Sequence, residues 1–283
     1  MIAEWLPHTD ISSDDAPAAA LSVACDTRPN DPAQPPTREV GCVRAWNMPS
    51  AERVIMLTPT GHAQVDLRGR LARVDPGDDR VAAAALLDLT VALLLARVHA
   101  AILNASAVVD GAGWGWLLVG ARRERARLAS TFCEDGFGYV SEGQVLLRRG
   151  PLNRDVVVAE SWHRPPAHSS ARSSGAAPPL PWDRWQPLAP VKGILLASAT
   201  DPDPAGGRNP AGWAVAARSE LEGAFGAAVS YAGVDGVGDT NVAALIGACL
   251  PKAAYRVPVD PRAQAADPRP AARLRALVQG QPA

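Results

Sequence analysis

The chain has 283 residues, of which 47% are hydrophobic and 20% are charged, and its formal net charge is -1 at pH 7. Such a composition is typical of a globular protein with a sizeable core. The near balance of charges excludes a bulk electrostatic attraction to nucleic acid or to an anionic membrane.

The first 78 residues are predicted to be rich in β-structure. Residues 27–40 are rich in proline and predict a loop, and RVIML over residues 53–57 predicts a strand. The apolar residues of AQVDLRGRLARVD, residues 63–75, alternate on both sides of Gly69, which predicts a hairpin.

The longest apolar run, residues 81–103, raises the question of a membrane span. Asp88 and Arg97 interrupt it, so no uninterrupted apolar stretch reaches the ~18 residues that a span needs. We therefore expect a buried helix, with Asp78 or Asp79 accepting hydrogen bonds from its first amides.

The next part of the chain, which ends at residue 161, alternates between strands and a helix. LNASAVVDGAGWGWLLVG predicts two strands joined by an Asp-Gly-Ala-Gly turn, the second ending at Gly120. Trp114 and Trp116 are two positions apart, so we expect both to point to one strand face and to pack in the core. RERARLASTFCED then predicts a helix and GFGYVSEGQVLLRRG two strands, an order typical of an α/β fold.

Residues 162–190 are rich in proline, serine and alanine, and predict either a functional loop or a disordered insertion. Trp162, Trp182 and Trp185 lie beside or inside this segment. An indole there either anchors the loop or lines a peptide groove.

The remaining residues return to strands and helices. VKGILLASA and AAYRVPVD predict strands, residues 213–229 and about 240–250 predict helices, and a short helix is expected at the end. Asp239 or Thr240 is predicted to cap the second of these helices. We therefore expect a single domain with four consecutive parts: residues 1–78, 79–161, 162–190 and 191–283.

The spacing of the cysteines and the composition of the first residues indicate the cellular compartment of the protein. Cys25, Cys42, Cys133 and Cys249 form no CxxC pair and have no histidine at metal-ligand spacing, so they indicate neither a zinc site nor a disulfide framework. The opening residues, MIAEWLPHTD, contain no basic-then-apolar signal segment. We expect reduced thiols and a cytoplasmic protein, with no metal and no membrane association.

Four pieces in the middle of the chain, LNASAVVDG, WLLVGARRERARLAS, DGFGYVSEG and VLLRR, follow a recognisable order. They resemble the C-terminal domain of HPr kinase/phosphorylase and its relatives, in which a His-bearing strand, an apolar strand, a Walker A loop, a helix and a strand ending in an acidic pair succeed one another. The resemblance spans residues 103–149, about a sixth of the chain. It implies an α/β fold of the HPr kinase/PEP carboxykinase type, a mixed sheet core with flanking helices and a β-rich N-terminal part.

The nucleotide-binding residues of that family are absent. In a Walker A loop, G-x-x-x-x-G-K-[ST], glycines let the backbone wrap the phosphates, the lysine reaches them and the hydroxyl holds magnesium. Counted from Gly120, the last three defining positions carry Arg125, Ala126 and Arg127. Arg125 has a Cβ where a positive φ is expected. The lysine and the magnesium-binding hydroxyl, which position the phosphoryl group, are both missing. We therefore predict that MgATP binding is lost and expect no cofactor.

Two further positions depart from the family. Its strand histidine aligns with Asn104, and its acidic pair aligns with Glu142 and Gly143. Glu142 is either a remaining base for a hydroxyl proton or a solvated turn residue. The family's downstream catalytic arginine has no counterpart that can be placed in this chain. Together with the altered loop, these differences favour a pseudokinase.

Four arginines crowd the predicted start of the helix after Gly120: Arg122, Arg123, Arg125 and Arg127. In one interpretation they replace the lost glycine and lysine and offer forked donors to a carboxylate or phosphate of a bound partner. In the other they form a solvated helix face that pairs locally with Glu124. The sequence leaves both open.

The resemblance implies a function without phosphotransfer. Some HPr-kinase-like proteins of ribosomal peptide natural-product pathways have lost their active site, and this chain is similar to the kinase-like peptide-binding proteins of crocagin-type pathways. We expect a protein that binds a precursor or leader peptide and presents it to modifying enzymes. Two alternatives stay open: a phosphotransferase that uses Arg123 or Arg125 on the phosphates and Glu142 as base, and a structural subunit that stabilises an enzyme. Homo-oligomerisation is also open.

Overall fold

The computed structural model describes residues 20–23, 28–30, 32–150, 156–161, 184–199, 214–229, 236–249, 253–259 and 272–274. Its class is mixed α/β, with two mixed sheets and helices, so the predicted class is confirmed. The described residues divide into two compact units. The first unit holds residues 20–102 and 236–245, and the second unit holds residues 103–229 and 246–274.

The first unit contains an antiparallel meander with one parallel strand at its edge. Its strands are β1 (Ala20–Val23), β2 (Arg38–Val40), β3 (Val43–Met48), β4 (Arg53–Leu57), β5 (His62–Asp66) and β6 (Leu71–Asp75). Their spatial order is β1-β6-β5-β4-β3-β2, and β1 runs parallel to β6. The predicted strand over residues 53–57 and the predicted hairpin over residues 63–75 are confirmed.

Helix α1 (Arg80–Arg97) packs on this sheet. The Asp79 carboxylate accepts hydrogen bonds from the amides of Val81 at 2.9 Å and Ala82 at 3.2 Å, so the predicted cap is confirmed at this residue. The buried apolar residues of the helix and sheet form one core, which includes Val54, Met56, Val65, Val74, Leu86, Leu89 and Leu93.

The predicted helix over residues 81–103 is wrong at its end. Helix α1 stops at Arg97, His99 has a left-handed φ of 56°, and Ala100–Leu103 forms strand β7. All four side chains of β7 are buried. A continuous apolar run looks the same in a buried helix and a buried strand, so periodicity could not locate this boundary. No helix in the described part of the chain is long and apolar enough to span a membrane.

Replacing Asp79 by alanine is expected to lower the free energy of unfolding by about 1 kcal/mol, because two amides in the first turn of α1 lose their acceptor. Asp78→Ala is the matched control, since this exposed neighbour also carries one negative charge but makes no capping bond. Urea unfolding of both variants checks the prediction. Equal losses in the two variants would contradict it.

The second unit is built around a central sheet. Its strands are β8 (Ser106–Val109), β9 (Gly115–Gly120), β10 (Gly138–Ser141), β11 (Val145–Arg149), β12 (Val157–Ser161), β13 (Leu188–Ala199), β14 (Ala214–Val215) and β15 (Ala253–Val259). Strands β9, β13 and β15 are parallel neighbours, and β8 and β10 continue the sheet in antiparallel pairing. The start of β13 also pairs with β12, which pairs with β11.

Helix α2 (Arg122–Glu134) follows β9 and packs on the parallel strands. Phe132 and Leu128 lie in a core cluster with Trp116 and Leu195. The predicted strands and helix of this region are confirmed. This arrangement puts the start of α2 at the edge of the sheet where β9 ends.

Two predictions downstream need correction. Strand β13 begins at Leu188, so the last residues of the predicted loop over 162–190 are a strand; residues 162–183 of that loop lie outside the described residues. Residues 214–215 form β14, and helix α3 is confined to Arg218–Ala228, although a helix was predicted over 213–229. The Pro-rich and apolar composition of these segments does not separate strand from its alternatives.

Helix α4 (Gly236–Cys249) begins earlier than predicted. Asp239 therefore lies in its first turn and Thr240 follows within the helix, so neither residue is the N-cap. The two glycines at its start have low helix propensity, which hid the boundary. Residues 272–274 are helical, within the predicted last helix.

Candidate functional site

A single residue joins β9 to α2. Strand β9 ends at Gly120 and the helix begins at Arg122, so only Ala121 lies between them. Ala121 is extended, with φ -66° and ψ 148°, and its carbonyl accepts the first helical hydrogen bond from the Arg125 amide at 3.1 Å. A phosphate-wrapping loop needs several residues with free amides outside the helix. This connection is too short to form one.

The prediction that Arg125 has a positive φ in a loop is therefore wrong. Counting from a Walker A pattern put this residue at a loop position with positive φ, but it lies in the first turn of α2. Among the described residues, the non-glycine positions with positive φ are Glu52, Arg70 and His99. The count assumed a full-length loop, and the helix instead starts three residues before Arg125.

Gly120 is required by close packing. Its φ is 134°, and a Cβ built at this position would lie 2.2 Å from the carbonyl oxygen of Ala197 on the parallel neighbour β13. No other residue type fits there without moving the strand. The glycine thus has a role that involves no nucleotide.

The two other altered motif positions lie near each other. The Ser106 hydroxyl at the start of β8 donates to the carbonyl of Glu142, just after β10. The side-chain amide of Gln144 donates to the Asn104 carbonyl oxygen at 3.4 Å. Asn104, Glu142 and Gly143 are exposed, and no described residue makes a hydrogen bond to the Glu142 carboxylate. Nothing in this part of the structure orients that carboxylate as a base.

The arginines of α2 differ in their surroundings. Arg122 and Arg123 are exposed, Arg127 is half-buried with a partner, and Ala126 is also half-buried. Arg125, in contrast, is 4% exposed, and its Nε has no hydrogen-bond partner among the described residues. Burial lowers the pKa of Arg125, and the charge of Arg122 lowers it further. The four side chains therefore do not form one solvated face.

Trp185 anchors the segment before β13. Its Nε1 donates to the Val140 carbonyl at 3.1 Å, and the next amide, of Gln186, donates to the Tyr139 carbonyl at 2.8 Å. The indole packs against Cys133 and Tyr139. This segment thereby lies along β10, next to the outer side of that strand. Trp182 lies outside the described residues.

Trp114 and Trp116 do not share an environment, so the expectation that both pack in the core is wrong for the first. Trp116 is 1% exposed and donates from Nε1 to Asp110 at 3.3 Å. Trp114 is 41% exposed because it belongs to the turn before β9, where its amide donates to the Asp110 carboxylate. The Lys192 ammonium lies 5.9 Å from the Trp114 ring centroid.

The sequence did not identify the buried thiol of Cys133 as a titrating group of interest. Burial raises the pKa of Cys133 from 9.0 to about 12, although the nearby Arg184 guanidinium opposes this shift. The native state therefore keeps a proton that the unfolded chain releases above about pH 9. Arg184 donates a hydrogen bond to the Cys133 carbonyl, so it also holds the segment before β13.

Stability is expected to fall as the pH rises from about 9 towards 12, by up to about 1.4 kcal/mol per pH unit from Cys133 alone. The sign follows from the raised native pKa: the contribution is complete below about pH 9, where both states hold the proton. Urea unfolding between about pH 8 and about pH 10.5 measures the slope, and Cys133→Ala should show a shallower one. Identical slopes would contradict the prediction.

Within the described residues, no three histidine, cysteine, aspartate or glutamate side chains gather to hold a metal ion. The site at the end of β9 is therefore defined by arginines, helix amides and a glycine. In comparisons with known proteins, neither a family model nor a curated protein sequence matches this chain.

Proposed function

We propose that this protein is an HPr-kinase-like pseudokinase that binds a peptide and presents it to a modifying enzyme. The observation that carries the proposal is the one-residue connection between Gly120 and Arg122. It removes the loop with which such a fold would wrap a nucleotide, while the helix start still offers donors to an acidic group.

The order of elements supports the family likeness. An antiparallel pair, β8 and β9, leads through a glycine into α2, and β10 then returns beside β8. The residues aligned with the family's histidine and acidic pair, Asn104 and Glu142, lie by that same strand pair. A fold of this kind that has lost its nucleotide side retains a surface for a protein substrate.

The exposed arginines at the start of α2 and a strand at the edge of the sheet support a peptide as the ligand. Arg122 and Arg123 are exposed at the start of α2, so they are accessible to a carboxylate. In the same unit, β14 pairs with β15 and with no other described strand, and Val215 is 77% exposed. A short edge strand with an exposed apolar side chain is suited to strand addition by an extended peptide.

Calorimetry with precursor and leader peptides encoded beside the gene tests the proposal. We expect one of them to bind, and we expect MgATP neither to change its affinity nor to shift the melting temperature of the protein. Transfer of labelled phosphate from ATP that is abolished by Glu142→Ala would overturn the proposal in favour of a phosphotransferase. Co-purification with an enzyme, without affinity for any of the peptides, would overturn it in favour of a structural subunit.

A further inference from the structure

Arg125 is a buried cation without an acceptor among the described residues. It is 4% exposed, its Nε has no hydrogen-bond partner, and no described acidic side chain forms an ion pair with its guanidinium. An isolated buried charge is costly in free energy unless a counter-charge or a hydrogen-bond acceptor compensates it. The structure therefore contains a cationic group whose partner is not supplied by the described residues.

The neighbouring glutamate does not serve as that partner. One carboxylate oxygen of Glu124, Oε2, is also buried and has no hydrogen-bond partner in the described part of the chain. Adjacent residues of a helix point about 100° apart, so Glu124 and Arg125 do not face each other. The acidic side chain reduces the net charge of the helix start but leaves the guanidinium unpaired.

The position of Arg125 directs its side chain towards the start of the helix. It lies on the face of α2 that carries the buried Leu128, Ala129 and Phe132, three, four and seven residues later. Helical side chains lean towards the N-terminus, so the guanidinium extends back from the first turn towards Arg122. The effect of the Arg122 charge on the Arg125 pKa agrees with this proximity.

The same place offers backbone donors. The first amides of α2, those of Arg122, Arg123 and Glu124, have no partner within the helix. Ala121 precedes them, and its methyl side chain cannot cap them. The helix dipole adds a positive potential at this end. The amides and the dipole thus act at the end of the helix towards which the Arg125 side chain leans.

We infer that the start of α2 is a binding site for a single oxyanion, held by the Arg125 guanidinium and the free amides of the first turn. A guanidinium presents two parallel N–H donors that match the two oxygens of a carboxylate or phosphate. The one-residue connection leaves no place for a polyphosphate chain. The anion that fits the proposed function is an acidic side chain of the peptide, and the inference rests on that function only for the source of the anion.

The site is tested first with small anions. In ¹H–¹⁵N spectra, acetate and inorganic phosphate are expected to shift the Nε–H signal of Arg125 and the amide signals of Arg122–Glu124 in a saturable way. Arg125→Met keeps much of the side-chain length but removes its charge, and an apolar replacement of an unpaired buried charge is compatible with folding. The amide shifts should be lost in this variant.

Arg218→Gln is the matched control, because Arg218 also lies in the first turn of a helix but is exposed and paired with Glu222 at 2.8 Å. It should leave the anion response of α2 unchanged. Absence of saturable shifts in the wild-type protein, or equal shifts in Arg125→Met, would overturn the oxyanion site.

A second experiment, with peptides in place of small anions, tests the oxyanion site and the proposed function independently. A peptide encoded beside the gene that binds is expected to lose at least about tenfold in affinity in Arg125→Met, the effect of losing a charged hydrogen bond. The same loss is expected when one acidic residue of the peptide is replaced by its amide. Binding that is insensitive to both changes would overturn the peptide carboxylate as the ligand and leave the proposed function standing. Small-anion binding without peptide binding would overturn the proposed function and leave the oxyanion site standing.

Discussion

Gly120→Ala is expected to lower the free energy of unfolding by about 3 kcal/mol or more, a large fraction of the stability of a typical domain. Two costs add at this position. The φ of 134° lies in a region that side chains with a Cβ rarely adopt, and the new Cβ would lie 2.2 Å from the carbonyl oxygen of Ala197. The backbone of β9 fixes the position of the new Cβ, and the oxygen belongs to the backbone of β13, so no rotamer change relieves the overlap.

Substitutions at two other glycines separate the conformational cost from the cost of the steric overlap. Gly113 has a φ of 83°, and no atom lies within 4 Å of the point that a Cβ would occupy, so Gly113→Ala isolates the conformational cost, about 1 to 2 kcal/mol. Gly143 has open space and no positive φ, and Gly143→Ala should change stability by less than about 0.5 kcal/mol. Urea unfolding of the three variants gives the order. If Gly120→Ala costs no more than Gly113→Ala, the packing explanation is wrong.

The pattern of apolar residues predicted β4, β5 and β6 of the first unit and most strands of the second unit. It missed β1, β2 and β3, and β2 lies at the end of the predicted loop over residues 27–40. The hairpin over residues 63–75 and the strand pair around Asp110 were recognised because side chains on successive strand positions face opposite sides, and turn residues separate the runs. The Asp79 cap was equally local, since one carboxylate and the amides after it suffice. Features that depend on a few neighbouring residues can thus be predicted from this sequence.

The nature of the candidate site could not be predicted in the same way. A motif count gives the distance along the chain but not the residue at which a helix begins, so Arg125 was placed in a loop that α2 replaces. Its burial depends on the packing of Leu128 and Phe132 against the sheet, which involves residues far away in the sequence. The charge run alone left two interpretations open, donors to an anion and a solvated helix face.

The tryptophans illustrate the same limit. Spacing by two residues put Trp114 and Trp116 on one face, but the strand begins at Gly115, and a turn residue is not bound by strand alternation. Lys192 is an extra residue in the register of β13 against β9, between Val191 and Gly193. This irregularity brings its ammonium near the exposed Trp114. Such a bulge has no signature in the residues themselves.

Gly193 follows this bulge and lies opposite Trp116 in the register of β13 and β9. Its replacement by alanine is the second substitution with a large expected effect. A Cβ at Gly193 would lie 2.3 Å from Cζ3 of Trp116 and 2.7 Å from the carbonyl oxygen of Ala253. The ring is buried at 1% exposure and packs with residues of α2, so it has no free space into which to move. We expect a loss of about 2 to 3 kcal/mol in the free energy of unfolding, the range for overpacking a dense core.

A double-mutant cycle with Trp116→Leu assigns this cost to its source. Leucine lacks the ring atoms that the new Cβ would meet. The loss of unfolding free energy caused by Gly193→Ala should therefore be smaller in the Trp116→Leu background than in the wild-type protein, by at least about 1 kcal/mol. The contact with the Ala253 carbonyl belongs to the backbone of β15 and should keep part of the penalty in both backgrounds. Urea unfolding followed by far-ultraviolet circular dichroism measures all four proteins without depending on indole fluorescence. A cost of Gly193→Ala that is equal in both backgrounds would mean that the backbone of β15, and not the indole of Trp116, requires glycine at this position.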